Sequence, residues 1–378
     1  MRSIRTAGGG LAALVLGLTL AAIPTQAQAA IACDVPTLQA AITAANATGG
    51  TIDLAPNCTY SVTDAQKVGD NAMPVITNNV TLNGANSVIE RAATATTSFR
   101  IFEVGGTVGN LTLNTVTLRN GSTPGIGGGV LVHNGRTLTL NSNSVIRESS
   151  AGGAGGGIFN DGGNVFLTSS KVTKNDAFAF GGGISNSGNL TAESATVSEN
   201  TTAVDAAGIF NGGNMTLQST RVTLNTALND DGGGIYNAGI AHLSSTVIEQ
   251  NTANDQGGGL WNVGNATVTS SRISNNSTDN SGGGIFNGNQ LAVNDSAITA
   301  NHVTTASVNS HGGGLFNASG ATSTLTSTAV SSNTVASPGD GGGIFEQPAS
   351  TVNLVTSNVF SNTPDNCRPP GSVPGCSG

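Results

Sequence analysis

Charge is scarce in this 378-residue chain: Asp, Glu, Lys and Arg make up 9% of it, and aromatic side chains only 4%. An ordinary globular enzyme carries about a quarter charged residues, so a conventional charged shell is excluded. Low charge beside 37% hydrophobic residues also excludes a disordered chain, which needs the opposite balance. Cysteine is limited to four residues with no Cys-x-x-Cys and no flanking His, which excludes a zinc site. Proline, at 11 residues, is too rare for a collagen, and the 54 glycines show no every-third period. Missing too are Gly-x-Ser-x-Gly, a phosphate loop, a metalloprotease motif and any Arg-x-Lys.

The one long apolar run is at the start. Arg2 and Arg5 precede the apolar stretch Leu11 to Ile23, and Ala27-Gln28-Ala29 offers a small-x-small cleavage pattern, so residues 1–29 read as a secretory signal. Lipidation at Cys33 competes poorly, because Ala30-Ile31-Ala32 lacks the usual Leu before the cysteine. No other apolar stretch is long enough to cross a bilayer, so no transmembrane segment is expected after cleavage. Without Arg2 and Arg5, 11 basic side chains face 21 acidic ones, a net charge of −10 that disfavours nucleic acid and anionic membranes. The expected location is extracellular or at the cell surface. Cys33, Cys58, Cys367 and Cys376 allow three pairings, and their grouping at the two ends favours the local ones.

What the chain has in abundance is periodic. Gly-Gly-Gly followed by an aliphatic residue ends at Gly129, Gly157, Gly183, Gly234, Gly259, Gly284, Gly314 and Gly343, with a degenerate copy, Ala206-Ala207-Gly208-Ile209. The steps are 28, 26, 25, 26, 25, 25, 30 and 29 residues. Within each period a segment such as Met215 to Asn225 alternates apolar with small polar residues, which predicts two or three short strands and no helix. A unit this short cannot bury its own apolar face. Coiling solves the problem: each period makes one turn, and equivalent strands of successive turns pair in parallel about 4.8 Å apart. The triplets then supply positive φ and room between turns. Asn175, Asn200, Asn225, Asn251, Asn276, Asn301, Asn333 and Asn362, one after each strand, are expected to form a stacked amide ladder.

Gly-Gly-Gly-Ile-Phe-Asn followed by a Val/Ile-x-x-Asn segment resembles the right-handed parallel β-helix repeats of the pectate-lyase-like superfamily, and among them the repeats of the chlamydial polymorphic membrane proteins. The resemblance covers about residues 105–363 and implies an all-β, right-handed parallel β-helix. Function is not implied, because that fold carries lyases, hydrolases and non-catalytic adhesins. Only about fifteen residues follow Asn362, where the membrane proteins carry a large C-terminal barrel.

Both ends of a solenoid need covering. Residues 36–46 predict a short capping helix with Leu38, Ala41, Ile42 and Ala45 on one face, started by Asp34 and ended by Gly49-Gly50. Pro364, Pro369, Pro370 and Pro374 predict a tail that blocks the last open edge. The expected organisation is a signal over 1–29, an N-terminal cap over 30–59, the β-helix over 60–363 and a C-terminal cap or tail over 364–378.

Three columns carry possible chemistry. Half of the 14 aromatic residues follow the inward aliphatic residue: Phe159, Phe210, Tyr236, Trp261, Phe286, Phe316 and Phe345, with Ser185 breaking the row. Facing outward, they form either a platform for sugar rings or a partner protein, or a stack that packs on itself. Phe210, Tyr236, Trp261, Phe286 and Phe316 are the ligand-binding candidates. Asp205, Asp231 and Asp340 precede a triplet, with Asp230, Asp255 and Asp279 close by; Asp205, Asp231 and Asp255 are weak Ca²⁺ candidates, and no other cofactor is implied. Lys171, Arg221 and Arg272 share a column one position before an inward Val or Ile, where a lyase would need a base, but no acidic cluster is expected beside them. His133, His242, His302 and His311 do not align. His311-Gly312 and Asp230-Asp231 are similar to polygalacturonase pairs but lie about 80 residues apart, so no catalytic residue is assigned.

The period is too constant to leave long loops that build a cleft, although 284–314 and 314–343 have room for short ones. The sequence therefore points to a secreted, non-catalytic β-helix acting outside the cell as a binding, adhesin-like or matrix component, its partner an extracellular glycan or a cell-surface protein. The alternative is a polysaccharide lyase or glycoside hydrolase of the same fold.

Overall fold

Alternation decides which side chains enter the core. In Asn189–Glu193 the buried residues are Leu190 and Ala192, and one period later, in Asn214–Gln218, they are Met215 and Leu217. The computed structural model, which describes residues 29–64 and 66–376, stacks such strands into a parallel β-solenoid of about twelve turns. The signal expected over 1–29 falls almost wholly outside the described residues.

A typical turn runs Ile184–Asn186, Asn189–Glu193, Thr196–Ser198 and Thr201–Thr202 before Ile209–Asn211 begins the next. Register is kept in parallel at each face: Ile184 pairs with Ile209, Leu190 with Met215, Val197 with Val222 and Thr201 with Thr226. The strands make three sheets of 22, 9 and 11 strands. Each turn thus holds four strands where two or three were expected. The stretch Met215 to Asn225 is bent twice, at Ser219 (φ 50°) and at Leu224 (φ 59°). These are left-handed corners at non-glycine residues, which alternation of apolar residues does not reveal.

The glycine triplet divides its labour. Gly257 has φ +64°, whereas a Cβ on Gly258 would lie 2.3 Å from the Ser277 carbonyl oxygen of the next turn. The first glycine therefore makes the bend, and the second lets neighbouring backbones approach.

The expected amide ladder is present and buried. Asn200 Nδ2 donates to Asn225 Oδ1 at 3.0 Å, and Asn225 Nδ2 to Asn251 Oδ1 at 2.9 Å. Each Oδ1 also accepts the backbone N–H of the preceding rung, as Asn225 Oδ1 does from Asn200 at 3.0 Å. A second ladder, not anticipated, runs through Asn160, Asn186, Asn211, Asn237, Asn262, Asn287 and Asn317, with side-chain bonds of 2.7 to 2.9 Å.

At the front, helix Val35–Thr48 lays Val35, Leu38, Ile42 and Ala45 on the first turns, and the Asp34 carboxylate accepts from the Thr37 N–H at 2.8 Å. Ala41, expected on the same face, is partly buried at its margin. Cys33 is bonded to Cys58 and Cys367 to Cys376, the local pairing. The rear differs from expectation. Cys367–Arg368 covers Ile344–Phe345 of the 11-stranded sheet, and Thr363 bridges to Thr334, yet Thr351–Val355 and Asn358–Phe360 keep an outer edge unpaired among the described residues. Val355 and Phe360 there are 48% and 49% exposed. A tail that turns at prolines follows the two smaller sheets and cannot also add a strand to the largest.

Candidate functional site: an aromatic ladder and its groove

The residue after each inward aliphatic side chain points outward, and the register aligns Phe159, Ser185, Phe210, Tyr236, Trp261, Phe286, Phe316 and Phe345 in one column. Phe210, Tyr236, Trp261, Phe286 and Phe316 therefore come together as neighbouring rungs. Centroid spacings along them are 5.2, 4.0, 5.8 and 5.1 Å, and Phe345 follows at 5.4 Å. The gap at Ser185 is filled from elsewhere: Phe180, four residues before its own turn's inward Ile184, places its ring 5.3 Å from Phe210.

From Trp261 to Phe345 neighbouring planes lie within 25° of each other, so the rings turn faces to each other, and all of them but the buried Phe316 stay partly exposed. Between Tyr236 and Trp261 the angle opens to 51°, and Trp261 Nε1 is buried there without a hydrogen-bond partner. The ladder is thus a self-packing stack first, worth about 0.5–1.5 kcal/mol per ring pair beyond area burial. What it offers outward is an apolar rim of ring edges.

Beside that rim runs the residue that precedes each glycine triplet. Gln256, Ser281, His311 and Asp340 are bridged in register on four successive turns. Between this row and Phe286 and Phe316 lies a groove of about 320 Å³, completed by Asn280, Asn309 and Gln347. Its side chains are only partly engaged. Asn280 Nδ2 donates to Asp255 Oδ1 at 2.8 Å while its Oδ1 accepts from Ser281 Oγ at 3.3 Å, Gln347 Oε1 accepts the Ser319 N–H at 2.9 Å, and the Asn309 side-chain amide bonds no described residue. His311 Nδ1 lies 2.5 Å from Asp340 Oδ1, and its ring stacks on Phe345 at 4.0 Å, which pins the imidazole and leaves Nε2 open.

The acidic row gathers differently from its sequence order. Carboxylate oxygens of Asp205, Asp230 and Asp231 all lie within 4.8 Å of one another, while Asp255 stands a turn away with its N–H on the Asp230 carbonyl at 3.3 Å. Asp205 accepts from the Asp231 N–H at 3.1 Å, but Asp231 Oδ1 is buried without a partner. Burial first, then the charges of Asp255, Asp230 and Asp205, push the Asp231 carboxyl up to about 8, so a proton sits there at neutral pH. Burial first, then the neighbouring Asp205, Asp231 and Asp230, push the Tyr236 hydroxyl up to about 12. Oxygen ligands this close suit a hard cation such as Ca²⁺, and a proton on Asp231 relieves the same crowding.

Lys171, Arg221 and Arg272 do share a column, on alternate turns of the large sheet. A single acid, Glu249 from the turn between, binds Arg221 and lies 2.7 Å from Arg272. The clamp leaves about half of each arginine exposed, and such pairs contribute little. The column faces away from the groove residues, and no catalytic base is isolated by it.

Phe180, Asn280 and Asn309 had no periodic signal, since each lies in the variable bend that leads to the triplet. His311 stood out in the sequence through the His311-Gly312 pair, whereas Gln256 is marked there only by its place before Gly-Gly-Gly.

The architecture is that of parallel β-helix proteins. One solved structure with this fold is the A-module of the Azotobacter vinelandii mannuronan C-5 epimerase AlgE4, 16% identical over 91% of this chain and 96% of that one, with a TM-score of 0.55. PfbA, a surface adhesin of Streptococcus pneumoniae, is 10% identical over 87% of this chain and 91% of that one, with a TM-score of 0.41. At such identities the likeness is one of fold. No family model matches the sequence, and neither does any curated protein. Among the described residues no helix is long and apolar enough to cross a membrane.

Proposed function

We propose that this protein is a secreted, non-catalytic β-helix that acts at the cell exterior by holding an extended glycan in the groove beside its aromatic ladder. The observation that carries the reading is the groove itself, in which partly free amides on successive turns face a rim of ring edges. Ligand sites of this kind combine apolar walls with a few polar groups that fix orientation. Two disulfides and the absence of a membrane-crossing helix among the described residues support an extracellular setting. The test is retention of the purified protein on insoluble polysaccharides, mannuronan-rich alginate included because the epimerase module shares the fold. Wild type should be retained on at least one of the polymers and leave it without new reducing ends. Retention on none of the polymers, together with capture by a cell-surface protein, would overturn the glycan reading.

A second reading, a polysaccharide lyase or glycoside hydrolase, is favoured by one observation: a carboxyl held protonated at neutral pH beside two other carboxylates, as acid and nucleophile are in glycoside hydrolysis. The trio lines no part of the groove. Unsaturated products or reducing ends that vanish in Asp231→Asn would establish it.

A further inference from the structure

The groove also says which kind of glycan it fits, an inference that rests on the glycan reading above. Its lining holds amides, a hydroxyl, an imidazole and phenyl edges, with no Lys or Arg. An anionic sugar needs a cationic partner to replace its lost hydration, and guanidinium or ammonium groups are what proteins use for carboxylate. Here the neighbouring charges have the opposite sign. Asp255 is bonded to Asn280 at one end of the groove, and Asp340 to His311 at the other. The arginine nearest in register, Arg368 opposite Phe345, is engaged 2.6 Å from Asp365. Over the whole chain 21 acidic residues face 13 basic ones, so a polyuronate meets repulsion at long range as well.

The open valences match hydroxyl groups, which donate and accept at once. Gln347 offers Nε2 donors, His311 leaves Nε2 open, and the Asn309 amide offers both donor and acceptor. Asn309 and His311 share one turn, with Asn280 on the turn before and Gln347 on the turn after, and turns lie about 4.8 Å apart, so a linked chain lying along the solenoid axis meets the three turns in order.

We infer that the groove formed by Gln256, Asn280, Asn309, His311 and Gln347 against Phe286 and Phe316 binds an uncharged polysaccharide along the solenoid axis, and discriminates against uronate and sulfated polymers.

Affinity electrophoresis of the full chain in native gels tests this, with hydroxyethyl cellulose, mannan, xyloglucan, alginate, polygalacturonate and dextran sulfate as probes, each with and without Ca²⁺. The expected result is retardation by a neutral polymer, unchanged by added salt, and none by the three anionic ones. Asn309→Ala and Gln347→Ala, both at groove positions outside the core, should each weaken that retardation about tenfold while thermal midpoints stay at the wild-type value. Retardation by alginate or polygalacturonate alone, whether or not it needs Ca²⁺, overturns the neutral-glycan inference but leaves glycan binding intact. Retardation by no polymer overturns both.

Discussion

At the scale of single residues, backbone clearance and buried charge set the strongest constraints. Gly258→Ala places a methyl 2.3 Å from the Ser277 carbonyl oxygen, whereas a Cβ at Gly135, whose φ is +71°, meets nothing within 4 Å. Overpacking costs about 1–3 kcal/mol or more, so Gly258→Ala should lower the urea midpoint by that amount, and Gly135→Ala by only the roughly 1 kcal/mol of left-handed strain. Equal losses would show that clearance between turns is unimportant. Asp231 makes the second constraint. Its carboxyl is raised to about 8 in the folded state, by burial and by Asp255, Asp230 and Asp205. The folded protein therefore holds a proton that the unfolded chain releases near its ordinary carboxylate range, and stability must fall as pH rises from about 4 through 8. Thermal midpoints measured between these limits should decline, and Asp231→Asn should flatten the decline and be more stable than wild type at alkaline pH. A midpoint that rises with pH would contradict the assignment.

At the scale of elements, the amide ladders are what turn polar residues into core. Asn225 is fully buried; its Oδ1 accepts the N–H and Nδ2 of Asn200, and its Nδ2 donates to Asn251. Asn225→Ala orphans two buried donors of Asn200 and takes one of two donors from Asn251 Oδ1, which keeps the Asn225 backbone N–H, so a loss of about 2–3 kcal/mol is expected in chemical denaturation. Asn225→Asp should be no better, because a carboxylate cannot donate to Asn251 Oδ1 and adds a buried charge. This ladder was legible in the sequence because its asparagines recur in step just after an inward Val or Ile. The second ladder was printed in the same repeat, as the Asn of Gly-Gly-Gly-Ile-Phe-Asn, yet alternation alone makes it a polar residue pointing inward. Only the partner one period away removes that cost, as between Asn211 and Asn237 at 2.8 Å. The aromatic column was equally readable. Its repair at Ser185 by Phe180 was not, because the replacement comes from the irregular bend and follows no period. The groove was illegible for the same reason, since Asn280 and Asn309 lie in bends whose lengths vary.

At the scale of the whole molecule, each turn touches mainly the turns before and after it. Ile235 pairs with Ile209 on one side and Leu260 on the other, and the intervening length, residues 235–259, is one complete period. Excising these 25 residues should join Gly234 to Leu260 in register and give a folded solenoid one turn shorter. Circular dichroism should keep its β signature, and the urea m-value should fall in proportion to the residues removed. Loss of cooperative unfolding would mean that this turn holds something its neighbours cannot replace.

The unequal ends give the molecule a mechanical polarity. The first turn is stapled by Cys33–Cys58 across 25 residues, whereas Cys367–Cys376 closes a loop within the tail and ties no two turns together. Under traction the solenoid should therefore pay out from its C-terminal edge, the last turn first. Each released turn of 25 or so residues lengthens the chain by roughly 85 Å, at about 3.4 Å per extended residue. A solenoid closed this way should yield in steps while the turns beneath stay folded.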